Sequence, residues 1–134
     1  MNRFSPESPI PIFDIADSES RPGGASNVNN NLMMLGAYVD YYFDDKNFSV
    51  KKRYVCDNHI IFRVDEDKTS NIDPTEIKFS DDTKYVILSD YNKGVLSCSQ
   101  KLVYQLKDQG KTVVVDPKRS LINYEGADIV KLNE

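Results

Sequence analysis

The sequence predicts an α/β protein built around a short parallel sheet, and three observations predict it. Tyr85-Val86-Ile87-Leu88 and Thr112-Val113-Val114-Val115 are apolar runs of strand length, rich in β-branched residues. Between them Leu102, Val103 and Leu106 share one helical face. Ile129-Val130 opens a third apolar run. Strand, helix, strand at this spacing is a βαβ unit, with parallel strands and a right-handed crossover. A chain of 134 residues is enough for one domain with one core.

Taken in order, the first twenty residues are rich in proline, serine and acid. Within them, residues 10–15 (Ile-Pro-Ile-Phe-Asp-Ile) are expected as an extended strand. Pro6, Pro9 and Pro11 confine it to an edge or a projecting flap. Arg21-Pro22-Gly23-Gly24 breaks the chain. A helix is expected over 25–35, with Val28, Leu32 and Leu35 at helical spacing and Gly36 as its stop. Residues 38–43 read as a strand, followed by a polar loop. Residues 51–55 and 59–64 read as a β-hairpin turning at Asp57-Asn58. An acidic connection covers 65–74. Ser97 or Ser99 is expected to cap the helix that runs to Asp108, and Gly110 to end it.

Hydrophobic residues make up 40% and charged residues 28%, which fits a globular rather than a disordered chain. The net charge of -4 argues against nucleic acid as the main partner, since phosphate backbones need a basic field. It leaves room for a local basic pocket that takes a phosphorylated small molecule. No apolar run approaches the roughly 20 residues of a membrane span, and the N-terminus has no leader-like stretch. A cytoplasmic location is therefore expected. Cys56 and Cys98 lack ligand-like spacing and are expected as reduced thiols. His59, the only histidine, is expected to be structural.

The residues that follow each strand carry the chemistry. Ser89-Asp90-Tyr91-Asn92-Lys93-Gly94 follows the first, Asp116-Pro117-Lys118 the second, and Asn133-Glu134 the third. Open parallel sheets bind ligands outside the carboxyl ends of their strands. That edge would carry Asp90, Lys93, Asp116, Lys118, Asn133 and Glu134. Carboxylates and an amide suit a hydrated Mg²⁺, and lysines offset phosphate charge. The Gly23-Gly24 pair before a helix is a second candidate, since small residues let backbone N–H groups approach an anion or hydroxyl. No P-loop pattern is present.

These segments resemble the ribokinase-like (PfkB) carbohydrate kinases. Arg21-Pro22-Gly23-Gly24-Ala25-Ser26-Asn27-Val28, continuing to Leu35-Gly36-Ala37, is similar to their N-terminal signature. Within the family, the heptose-7-phosphate kinase domains of bifunctional ADP-heptose synthases are most similar. Phe4-Ser5-Pro6-Glu7-Ser8-Pro9-Ile10-Pro11 resembles their "SPEAPVP" segment, and residues 53–65 resemble the lid hairpin. Leu88-Ser89-Asp90-Tyr91-Asn92-Lys93-Gly94-Val95-Leu96 resembles "LSDYGKGVL". Val115-Asp116-Pro117-Lys118 and Leu132-Asn133-Glu134 resemble "VDPK" and the start of "PNxxE". The resemblance implies a reduced ribokinase-like sheet with flanking helices and a small projecting β lid (strands about 10–15 and 51–64) on a βαβ core over 85–134.

It further implies that Gly23, Gly24 and Asn27 contact a sugar, with Arg53 and Arg63 in the lid or sugar-phosphate region. Asp90, Lys93, Asp116, Lys118, Asn133 and Glu134 would lie towards ATP and Mg²⁺, with Asp116 and Glu134 as metal ligands. The implied chemistry is transfer of the γ-phosphoryl group of ATP to a sugar hydroxyl. The sequence also departs from the family. The family's first strand, and everything after "PNxxE", including the "GAGD" turn with the aspartate base, have no counterpart in the chain, and the stretch between Phe43 and Lys51 is far shorter than in the family, as expected if a core helix and strand are deleted. No residue is assigned as general base. The expectation is a truncated sugar kinase relative, inactive alone. The alternative is a non-catalytic sugar- or nucleotide-binding or oligomerising module that acts through a partner, and a third reading is an active kinase that uses a partner chain or an unusual base. Lost core strands predict an unpaired sheet edge and a homodimer or partner chain, most simply through the lid strands.

Overall fold

The computed structural model describes residues 3–70 and 72–132. Its ordered core is the expected βαβ unit. Strand β3 (Tyr85–Ser89) pairs in parallel with β4 (Thr112–Asp116), and β4 with β5 (Ile129–Val130), in the order β3-β4-β5. Helix α2 (Ser99–Asp108) buries Ser99, Leu102, Val103 and Leu106, the stripe that its spacing dictates. These side chains meet Val86, Leu88, Val113 and Val115 from one sheet face, with Leu96 and Tyr124 closing the cluster. Alternation along β3 and β4 assigns the opposite face to Tyr85, Ile87, Thr112 and Val114, and this face is not covered by a helix of the core.

Polar groups tie the core's ends. Val113 N–H donates to Asp128 Oδ2 at 2.7 Å, and Lys107 pairs with Asp128 Oδ1 at 2.6 Å. Lys111 is buried, and its ammonium donates to the carbonyls of Ser80 and Thr83 at 3.2 and 2.9 Å. A buried charge is tolerated when its donors are satisfied in this way.

Outside the core lie α1 (Gly24–Met34) and an antiparallel hairpin of β1 (Val50–Cys56) and β2 (His59–Glu66). The turn residues Asp57 and Asn58 both have positive φ (47° and 64°), as a two-residue hairpin turn requires. Tyr54 stacks on Phe62 across the strands, with ring centroids 4.2 Å apart. Helix α1 buries no residue. Cys56 and Cys98 are free thiols, both exposed. Among the described residues, no helix is long and apolar enough to cross a membrane.

Three local expectations differ from the structure. Residues 10–15 form no strand. A single bridge, Phe4 to Pro11, and the bond from Ile12 N–H to Arg3 O close a small loop instead. Pro9 and Pro11 have no N–H to extend a ladder. Residues 38–43 are extended without a ladder partner and are held through side chains: Tyr41 to Ser26, and Tyr42 to Lys78 O and the Phe79 ring. Neither serine caps α2. Cys98 holds the N-cap position, and Ser99 Oγ donates to Asn123 O at 2.8 Å.

Candidate functional site

The carboxyl ends of β3 and β4 lie side by side, and Asp90 N–H donates to Asp116 O at 3.0 Å. Their side chains differ sharply. The Asp90 carboxylate is turned inward, with 3% of its side chain exposed. Arg119 Nε donates to its Oδ2 at 2.7 Å, Tyr124 O–H donates to the same oxygen, and Asn92 N–H donates to Oδ1 at 2.6 Å. Arg119 also donates to Leu96 O and Ser99 Oγ, and lies 5.7 Å from the Tyr124 ring centre. Burial works to lower the Arg119 pKa, but Asp90 and then Tyr124 together outweigh it and the net shift is upward. Burial, then Asp90, raises the Tyr124 phenol.

Asp116 is more open, with 27% of its side chain exposed and Lys131 Nζ 3.4 Å away. Lys118 is exposed. Lys93 reaches Asp67 Oδ1 at 2.7 Å, and this contact holds the Asp67 carboxyl below its usual range. Asn133 and Glu134, and with them half of the expected metal pair, lie outside the described residues. Among the described residues, no group of three or more His, Cys, Asp or Glu side chains is placed to hold a metal. Of the expected pair only Asp116 is described, and a single carboxylate would hold magnesium only together with phosphates of a substrate.

The glycine pair sits beside this edge. Gly23 is the extended N-cap of α1, and Gly24 has φ +51°. A Cβ on Gly24 would stand 3.3 Å from the Tyr91 ring, so the glycine turn packs against the loop after β3. The turn, the hairpin and β3 enclose one broad concavity of about 2610 Å³. Gly23, Gly24, Arg53, Asp90 and Lys93 line it, whereas Asn27, Arg63, Asp116 and Lys118 do not. Asn29 Oδ1 and Ser89 Oγ also belong to lining residues. Both atoms are buried without a hydrogen-bond partner.

On the hairpin, Arg53 and Arg63 are directly opposed across the strands. Like charges so placed repel, and Arg63 is relieved by Asp65 at 2.9 Å. The Asp65 carboxyl is lowered by Lys51 first and by Arg63 after it. Further along, Asp44 anchors the loop before the hairpin. Ser70 donates to its carboxylate, as do Asn47 and the backbone of Lys46, and its pKa falls to about 2. Ser70 N–H in turn donates to Lys93 O at 2.8 Å. This chain of bonds couples the first half of the protein to the loop after β3.

Sequence reasoning missed Arg119, Tyr124, Ser89, Asn29 and Asp44. Arg119 adjoins Lys118 and reads as a second surface cation. Only the fold, which brings it back 29 positions to Asp90, reveals its use.

No family model matches the chain. It is similar over 98% of its length to proteins named bifunctional protein HldE. Identity is 31% with that of Methylococcus capsulatus, 30% with that of Pseudomonas savastanoi pv. phaseolicola and 32% with that of Psychromonas ingrahamii. The chain spans 35% of the length of these relatives. The matched stretch in the first is 166 positions, longer than the 134 residues of the chain, so the relatives carry residues within it that this chain lacks.

Proposed function

We propose that this chain is a sugar-kinase relative that binds a phosphorylated sugar in the concavity, with ATP·Mg²⁺ directed to the strand ends, and that as a 134-residue polypeptide it binds without turning over. The observation that carries the reading is the packing of Gly24 against Tyr91, which supports a site shared by the glycine turn and the loop after β3, with Asp90 and Lys93 of that loop on the same concavity. Asn29 and Ser89, polar residues of the lining, support it as groups of the kind a polyol hydrogen-bonds. So does Arg53, whose opposed neighbour Arg63 makes an anion welcome. Similarity over 98% of the chain, and 35% of the relative, to a bifunctional HldE protein supports heptose 7-phosphate as the first sugar to test.

Within this reading, the residues take distinct roles. Gly23 and Gly24 offer backbone N–H groups to the sugar, and Arg53 offers a guanidinium to its phosphate, with Arg63 and Asn27 at the rim. Lys93, Lys118 and Asp116 face the nucleotide phosphates and their magnesium. Asp90 acts as a positioning residue, because its oxygens are engaged by Arg119, Tyr124 and Asn92. None of the described side chains takes the part of a general base. The chain works in the cytoplasm as a homodimer or with a companion chain.

Titration calorimetry with heptose 7-phosphate and with ATP·Mg²⁺, alongside an ATP-consumption assay, tests this. Saturable sugar-phosphate binding with no ATP consumption is the expected result. Turnover by the purified chain, or no binding of either compound at millimolar concentration, contradicts it.

A further inference from the structure

Lys93 is held at both ends. Its carbonyl accepts from Ser70 N–H at 2.8 Å, and its ammonium pairs with Asp67 Oδ1 at 2.7 Å. Gly94, the next residue, meets the same segment, since a Cβ there would run into Ser70 O and Thr69 Cγ2. Residues 67–70 therefore lie as a short strap across Lys93 and Gly94.

The strap is also the foot of the hairpin. Strand β2 ends at Glu66, one residue before Asp67. Lys68 N–H donates to Ser49 Oγ at 3.0 Å and draws the two legs of the hairpin together. Among the described elements, β1 and β2 pack extensively only on each other. The strap thus ties the hairpin to the loop after β3.

Of the two lysines expected to face phosphates, Lys93 lines the concavity and Lys118 does not; Asp67 lies outside the lining. A carboxylate and a phosphate oxygen are rival acceptors for one ammonium. Lys93 is the first cause of the lowered Asp67 carboxyl, with Lys51 adding to it and Asp65 opposing it. The pair is open to water, with 37% of the Lys93 side chain and 54% of the Asp67 side chain exposed. Exposed pairs shift an equilibrium by about five-fold at most. A multiply charged phosphate offers the ammonium more charge than one carboxylate does, so it can take the place of Asp67 without disturbing the core.

We propose that Asp67 is an internal competitor for the phosphate position of Lys93: it holds the ammonium while that position is empty and gives it up to a phosphate, which unfastens the strap at the foot of the hairpin. The inference rests on the reading above that Lys93 faces phosphates, and it concerns how that position is regulated. The coupling is reciprocal, so a change that frees Lys93 from the strap strengthens phosphate binding, and phosphate loosens the strap.

Inorganic tripolyphosphate is the probe, because it carries phosphate without sugar or base. By titration calorimetry, Asp67→Asn is expected to bind it about two- to five-fold more tightly than the unsubstituted chain. Lys93→Gln is expected to weaken binding, and adding Asp67→Asn to it is expected to restore nothing. Glu66→Gln removes the same charge one residue away, from a carboxylate paired with Lys52, and is expected to leave the affinity unchanged. Amide hydrogen exchange gives a second readout. Exchange at Lys68 and Ser70 is expected to quicken in Asp67→Asn without ligand, and in the unsubstituted chain when tripolyphosphate is added. Damage to the fold would lower affinity, whereas release of a competitor raises it. Equal or weaker binding by Asp67→Asn, a gain matched by Glu66→Gln, or no binding of tripolyphosphate by either chain overturns the proposal. Heptose 7-phosphate binding that persists beside such a result leaves the sugar site standing. A gain in Asp67→Asn without heptose 7-phosphate binding removes the sugar site and leaves the competitor.

Discussion

At the scale of single residues, Asp90 is the point on which the loop after β3 turns. Its carboxylate holds Arg119 and Tyr124, and Arg119 continues to Leu96 O and Ser99 Oγ, so one aspartate fastens the loop, α2 and the 120–124 segment together. Removing one partner of a largely buried ion pair leaves the other uncompensated. Asp90→Asn is therefore expected to cost about 2–4 kcal/mol in urea unfolding. Tyr124→Phe, which removes one donor and leaves the pair intact, is expected to cost about 1–2 kcal/mol. A loss of ligand binding in Asp90→Asn would then report on loop position as well as on contact. Asp44 gives the clearest pH dependence. Its folded pKa of about 2 lies below its ordinary value of 3.8. The unfolded state therefore binds the proton first, and the Asp44 contribution is full above about pH 4 and lost as pH falls towards 2. Asp44→Asn is expected to flatten this acid limb, read as urea midpoints between pH 6 and about pH 2.5.

At the scale of elements, glycines sort by what surrounds them. Gly94 has φ +92°, and a Cβ there would meet Ser70 O at 2.3 Å. Gly110, with φ +71°, faces open space. Gly110→Ala is expected to cost only the left-handed backbone penalty of about 1–2 kcal/mol. Gly94→Ala adds a backbone clash and is expected to cost about 2–5 kcal/mol, with both read from thermal or urea unfolding. The elements themselves were legible to different degrees, for physical reasons. The βαβ unit was plain because apolar runs and a helical stripe are local signals. The hairpin was plain because Asp57-Asn58 marks its turn. Residues 38–43 have the strand composition and no strand, because a ladder needs a partner that no local pattern supplies. The cap of α2 was misplaced because Ser99 spends its hydroxyl on Asn123 O, a contact set 24 positions away. In the site, glycine and strand-end positions could be read, but the Asp90–Arg119 lock and the orphan oxygens of Asn29 and Ser89 could not.

At the scale of the whole molecule, the protein divides into a well-packed βαβ core and a first half that buries little. Helix α1 contributes no buried residue, and most hairpin side chains are exposed. A few contacts join the halves, among them Gly24 on Tyr91, Asp67 and Ser70 on Lys93, and Tyr42 on Lys78 O and the Phe79 ring. Gly24, Tyr91, Lys93, Tyr42 and Phe79 all line the concavity. The central claim is that this concavity is the binding site for a sugar phosphate. Backbone amide shifts on titration with heptose 7-phosphate test it most directly. The account predicts saturable shifts concentrated at Gly23, Gly24, Asn29, Arg53 and Ser89, with Lys118 and the outer face of α2 unmoved. Shifts confined to Lys118 and its neighbours, or no shifts at all, would contradict it.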